Sequence, residues 1–159
     1  EIDPDLLIVV EGPHWASWLG AGYRPIRLAL PNKVVYSTHA YQQMNAFTGD
    51  CPAYKEKLDR DWGHVAKSGL GPVWLGEFGV SQTANDNPWW LCIRECLAEN
   101  DLDWSYWALN GTQGPGYSRT SGAVETYGVL DPTWSMPANA THTAQLQALI
   151  PMQLTPVSD

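Results

Sequence analysis

The sequence predicts an α/β fold in which parallel strands alternate with outer helices, a (β/α)4 half of a TIM barrel. Three observations predict it. A unit of short apolar strand, loop rich in glycine and aromatics, then helix recurs four times along the chain. Strands alternating with helices of this length pair in parallel through right-handed crossovers. The chain has 159 residues, whereas a closed barrel of eight such units needs ~250. An open four-stranded α/β sandwich fits less well: there is no glycine-rich phosphate loop, and polar or aromatic residues end all four strands instead of gathering at one switch point.

The first strand is predicted over residues 6–10 and is closed by Glu11-Gly12-Pro13. The irregular stretch 12–32 is expected to hold little helix, or only short helix. The second strand, 34–37, is closed by Thr38-His39-Ala40-Tyr41. Pro52 suits the first position of a helix whose apolar stripe is Tyr54, Leu58, Trp62 and Val65. After a third strand at 73–76, Asp86-Asn87-Pro88 opens a helix with Trp89, Ile93, Cys96 and Leu97 on its apolar face, ending near Asn100. The fourth strand, 103–107, runs into Ala108-Leu109-Asn110-Gly111. The connection 110–134 exceeds the ~12 to 15 residues beyond which structureless loops are uncommon, and is expected to wall a site. A last helix is predicted over 141–150, stopped by Pro151.

Composition excludes several classes of function. The net charge is −8, and the nine Lys plus Arg form no basic stripe, which argues against nucleic acid. No apolar run approaches the ~20 residues of a membrane span. Glu1 is neither an initiator Met nor the start of a signal peptide, so a processed protein or a fragment is expected, folded as one domain over 1–159. Nine Trp and seven Tyr stand against two Phe. Rings with a polar edge suit surfaces that are partly apolar and partly wet, as sugars present. About half of them, including Trp62, Trp74 and Trp104, are expected in the core. Of three cysteines, Cys92 and Cys96 lie four apart in a helix and do not favour each other, while one bridge from Cys51 to that helix can form and the pairing stays open. No Cys or His pairs stand at zinc spacing, and neither metal nor other cofactor is expected.

The most informative segment is Pro72-Val73-Trp74-Leu75-Gly76-Glu77-Phe78-Gly79. Its apolar run reads as a buried strand, and Glu77 stands where that strand meets glycine. In barrels of alternating strands and helices, the C-terminal strand ends face the active site.

Four motifs together resemble glycoside hydrolase family 5, the cellulase family, in the order and spacing of its strands five to eight. They are Leu7-Ile8-Val9-Val10-Glu11-Gly12, Tyr36-Ser37-Thr38-His39-Ala40-Tyr41, Trp74-Leu75-Gly76-Glu77-Phe78-Gly79 and Tyr106-Trp107-Ala108-Leu109-Asn110-Gly111. The resemblance implies a retaining glycosidase in which Glu77 is the nucleophile, His39 and Tyr41 bind the sugar and the nucleophile, and Trp107 stacks beneath the reacting ring, with Asn110 in the substrate-binding set. Physically, a Tyr41 hydrogen bond would favour the charged form of Glu77. The family's acid/base glutamate sits in an Asn-Glu-Pro motif, and that tripeptide does not occur here. The acid is then supplied from elsewhere, or, in a ring closed by a second copy, Glu11 or Glu125 would have to serve, and Glu11 is preferred because it ends a strand.

The implied activity is that of a secreted endo-β-1,4-glucanase acting on β-glucan polysaccharide or oligosaccharide. Mannan-cleaving and exo-acting relatives share the same motifs. Half a barrel leaves two strand edges unpaired, so a partner is expected: the missing N-terminal half-barrel, or a second copy in a homodimer. The competing account is a non-catalytic half-barrel that binds β-glucan or serves as a folding unit. Asn-x-Thr sequons stand at Asn110 and Asn139, and Asn110, near the expected site, is expected to stay unmodified.

Overall fold

The computed structural model describes residue 3 and residues 5–20, 24–44 and 46–150. The elements run in order as β1 (Ile8–Glu11), β2 (Val34–Ala40), α1 (Cys51–Leu58), a π-helical segment (Asp59–Gly63), α2 (His64–Lys67), β3 (Val73–Phe78), α3 (Pro88–Asn100), β4 (Asp103–Tyr106) and α4 (Ala140–Gln147). All four strands are parallel and lie in chain order β1-β2-β3-β4. This is the predicted (β/α)4 half-barrel arrangement.

The chain forms two compact units. One comprises Glu1–Val80 and Pro88–Trp107 and contains the whole sheet. The other comprises Ser81–Asn87 and Ala108–Asp159 and contains α4.

In the first unit the helical stripes are buried as their periodicity requires. Tyr54, Leu58, Trp62 and Val65 are buried from α1 through α2, and Trp89, Ile93, Cys96 and Leu97 from α3, joined there by Trp90 and Cys92. Asp50 caps α1 by accepting a hydrogen bond from the Ala53 amide (3.0 Å). Val73, Leu75 and Phe78 bury one face of β3. Around Phe78 stand Trp90, stacked at 5.8 Å, and Trp104 and Tyr106, edge-on at 5.6 Å each. Such pairs add ~0.5–1.5 kcal/mol beyond area burial. Trp89 Nε1 donates to the Tyr54 hydroxyl at 2.7 Å, and burial pushes that phenol up from its ordinary value. Cys51, the first residue of α1, is bridged to Cys92 in α3, which leaves Cys96 as the buried free thiol.

Several expectations are corrected. Strand pairing carries β2 through Ala40 and β3 through Phe78, so His39 and Glu77 lie inside strands and not in the loops after them. Likewise β1 starts at Ile8 and includes Glu11, while β4 ends at Tyr106. Trp62 is fully buried but Trp74 and Trp104 are half-buried. Trp74 points to the sheet face opposite Val73 and Leu75, and Trp104 sits on the last strand with a single neighbour. The helix expected over 141–150 is shorter, ending at Gln147, and Pro151 lies outside the described residues. The stretch 12–32 has no α-helix among its described residues. Among the described residues β1 pairs only with β2, and Leu6 and Leu7 before it and Ile8 and Val9 within it are exposed.

The second unit ties its long connection down locally. Isolated bridges pair Thr112 with Val124 and Leu130 with Pro137. Glu125, only 2% exposed, accepts from the Arg119 guanidinium and the Tyr127 amide. His142 is buried, with Nδ1 3.0 Å from Asn85 Oδ1, and Asn139 caps α4 by accepting from the His142 amide.

Candidate active site

One irregularity in strand pairing assembles the site. Thr38 of β2 faces Leu75 of β3, but the next residue, His39, faces Glu77. Gly76 is the residue skipped, a β-bulge that brings Glu77 level with His39; regular pairing would have set Ala40 opposite it. Bulges re-aim side chains in this way next to active sites. Glycine suits position 76 because an added β-carbon would overlap Ser37 Oγ.

His39 stands between two carboxylates. Its Nδ1 is 3.3 Å from Glu77 Oε2, and its Nε2 is 3.3 Å from Glu11 Oε1. The same Glu11 oxygen accepts from Ser37 Oγ at 3.3 Å, across the pairing of Glu11 with Ser37. Exposure rises outward along this row: the side chains of His39, Glu77 and Glu11 are 20%, 31% and 55% exposed. Tyr41 follows β2 directly and is buried. Trp107 follows β4, and its amide donates to Phe78 O at 2.9 Å, one residue beyond Glu77. The first unit thus gathers Glu11, His39, Tyr41, Glu77 and Trp107 at the C-terminal ends of four parallel strands.

Asn110 and Glu125 belong to the second unit. Asn110 Nδ2 donates to Thr112 O at 2.8 Å, and the Glu125 carboxylate is engaged by Arg119. Among the described residues no group of three or more His, Cys, Asp or Glu is arranged to hold a metal ion.

A groove of about 810 Å³ opens in the first unit between the loop after β1 and α1, lined by His14, Trp15, Trp18, Met44, Lys57 and Asp61 among others. Trp15 is 83% exposed. It sits in an unusual turn: His14, Trp15 and Ala16 have φ of 56°, 53° and 58°, three successive left-handed residues without a glycine. Each costs ~1–2 kcal/mol. The turn is pinned where Ala16 O accepts from the His39 amide at 3.0 Å and from Thr38 Oγ1 at 2.8 Å. The loop carrying Trp15 is therefore fastened to the strand that carries His39.

Sequence reasoning missed Ser37 and Arg119. Ser37 was findable, since alternation along a strand puts residues 37 and 39 on one face. Arg119 was not, because its partner lies six residues away in an irregular loop.

Parallel strands, outer helices and polar groups converging at the C-terminal strand ends define the (β/α)-barrel class. Within that class the chain belongs to the cellulase family, glycosyl hydrolase family 5, whose family model matches residues 1–113. It is 30% identical over 135 residues to an endoglucanase of Paenibacillus polymyxa, covering 71% of this chain and 34% of that protein. A glycosyl hydrolase 5 family protein of Chamaecyparis obtusa is 27% identical over 164 residues, covering 92% and 29%. The chain therefore spans about a third of the length of these curated relatives. Among solved structures, an endocellulase from Pyrococcus horikoshii in complex with cellotetraose matches with a TM-score of 0.68 at 22% identity, over 92% of this chain and 44% of that one. A β-glucanase from Saccharophagus degradans in complex with cellotetraose matches at 0.65 and 17%, over 89% and 41%. At such identities these structures bear on the fold alone.

Proposed function

We propose that this chain is the C-terminal half of a retaining glycoside hydrolase, an endo-β-1,4-glucanase, with Glu77 as its nucleophile. The observation that carries the reading is the bulge at Gly76, which sets a partly exposed carboxylate beside an imidazole at the C-terminal end of a parallel strand. An ionised carboxylate in that place attacks an anomeric carbon while a protonated carboxyl, ~5 to 5.5 Å away, gives its proton to the leaving oxygen. His39, Tyr41 and Trp107 bind the sugar in the reacting position. Family membership and the activities of the similar proteins support β-glucan as substrate, and a polymeric substrate supports secretion.

The proton-donating carboxyl comes from the missing N-terminal half-barrel, which also covers the β1 edge. A second copy would cover that edge without supplying the Asn-Glu-Pro glutamate, so the missing half is the preferred partner. The test follows reducing ends released from a soluble cellulose derivative by the chain with its N-terminal half supplied, against Glu77→Gln. Turnover should fall by at least ~10³-fold, the scale on which a nucleophile is lost; turnover that survives the change overturns the reading. One observation favours a second reading, a module that binds without cleaving: Trp15 and Trp18 are exposed stacking surfaces, which need no acid. A chain that stays inactive with its half supplied, yet is retarded in a glucan gel, would favour it.

A further inference from the structure

We propose that Glu11 is a positioning residue: held by Ser37, it fixes the His39 imidazole so that Nδ1, and not a ring carbon, faces Glu77. The inference deepens the proposed role of Glu77 and rests on it for its meaning in catalysis. Its geometry stands independently.

An imidazole turned by a half rotation about its Cβ–Cγ bond exchanges Nδ1 with Cδ2 and Nε2 with Cε1. In the structure each nitrogen meets a carboxylate oxygen at 3.3 Å, while Cδ2 faces Gly76, 3.8 Å from where a β-carbon there would stand. The turned ring would put carbon against both carboxylates. A single carboxylate gives weak preference for one orientation, because Glu77 is itself partly exposed. Glu11 adds the second point that makes the orientation unique.

Glu11 would be a poor holder on its own, being 55% exposed and long. Ser37 remedies this. Its hydroxyl, on a residue 1% exposed, donates to the same Oε1 that meets His39. Strand register places Ser37 directly opposite Glu11, so the anchor belongs to the sheet and not to a loop. Gly76 leaves the space that Ser37 Oγ occupies. One residue thus serves twice: its bulge aligns Glu77 with His39, and its missing side chain admits the hydroxyl that holds Glu11. The role also differs from that of a general acid, because the inward Glu11 oxygen is already shared between a hydroxyl and the ring.

Long-range proton–nitrogen spectra of the imidazoles in the full chain test this, and four histidines make them simple to assign with His39→Asn. Wild type should show one fixed ring-nitrogen pattern for His39, distinct from that of exposed His14. Glu11→Asp, which withdraws the oxygen by one methylene, and Glu11→Ala should both move it toward the tautomer-averaged values of His14. Ser37→Ala should shift it the same way by less, and Glu11→Gln, which keeps an acceptor at full reach, should retain the fixed pattern. The His142 signals, from the second unit, should not move. A His39 pattern unchanged in Glu11→Asp and Glu11→Ala overturns the proposal. No turnover is needed, so an inactive chain leaves this test intact, whereas surviving hydrolysis in Glu77→Gln removes the functional reading and spares the positioning.

Discussion

Gly76→Ala is the substitution in which steric and conformational effects separate most cleanly. Gly76 does not have a positive φ, so alanine suits its backbone, and by itself that exchange stabilises by ~0.4–1 kcal/mol through the unfolded chain. Against this, the new methyl overlaps Ser37 Oγ, and Ser37 is 1% exposed in a central strand. Overpacking of this kind costs ~1–3 kcal/mol. The net expectation is a loss of about 1–2 kcal/mol, or roughly 2–8 °C in melting temperature for a chain of this size. Ser37→Ala alone should cost ~0.5–1.5 kcal/mol for a half-buried hydrogen bond. In the double variant the clashing oxygen is gone and the nearest atom becomes the β-carbon of residue 37 at 3.7 Å, an ordinary contact. There Gly76→Ala should be neutral or stabilising. The coupling between the two sites is therefore ~1–3 kcal/mol, with a change of sign. Urea denaturation of the four chains, followed by tryptophan fluorescence, measures it. If Gly76→Ala costs the same with serine or alanine at 37, the account of why the bulge is a glycine is wrong.

Four further outcomes are expected. The Cys51–Cys92 bridge closes a loop with a sequence separation of 41, worth up to ~4 kcal/mol of chain entropy, so reductant should lower the urea midpoint and an unmoved midpoint would show that the bridge is not formed. Cys96 should resist alkylation in the native chain, because burial pushes its thiol up to about 11 and leaves little thiolate at neutral pH; rapid labelling without unfolding would contradict this. Arg119→Met should destabilise the second unit by ~3 kcal/mol by leaving the Glu125 carboxylate buried and unpaired, read as faster amide exchange at Glu125 and Val129. In the Asp131 turn, the Thr133 hydroxyl, followed by the Ser135 and Met136 amides, holds the carboxyl below its ordinary 3.8. A depressed carboxyl stabilises the turn above 3.8 and ceases to do so as pH falls through the lowered value. Thr133→Val should move the acid loss of the Ser135 amide signal to higher pH, and an unchanged titration would count against the hydroxyl.

Much of the architecture was legible because local periodicity encodes it. The spacing of Trp89, Ile93, Cys96 and Leu97 declares a helix face, and β-branched runs at Val34-Val35 and Val9-Val10 declare strands. Glu77, His39, Tyr41 and Trp107 were found at strand ends because short motifs keep their order. What stayed hidden depends on contacts between distant segments. The bulge exists only in the register of β2 against β3, and Gly76 reads in one dimension as a simple strand terminator. Which of Cys92 and Cys96 would meet Cys51 turns on the rotation of α3, which periodicity leaves free by the very turn separating the two. The left-handed run at His14, Trp15 and Ala16 contains no glycine to announce it. Its cause, the double acceptor at Ala16 O, lies 22 residues upstream of its donor Thr38.

The π-helical segment at Asp59–Gly63 was equally silent, since Tyr54, Leu58, Trp62 and Val65 keep to one face whether or not a wider turn intervenes. A π turn closes its hydrogen bonds over five residues where an α turn uses four, so it carries one residue more for the same rotation. Deleting Arg60, which is exposed, would let the run from α1 to α2 close as continuous α-helix. Changes in chain length are ordinarily accommodated in loops. Here the fold has a second place for them, in the middle of a helical run whose Leu58, Trp62 and Val65 are buried.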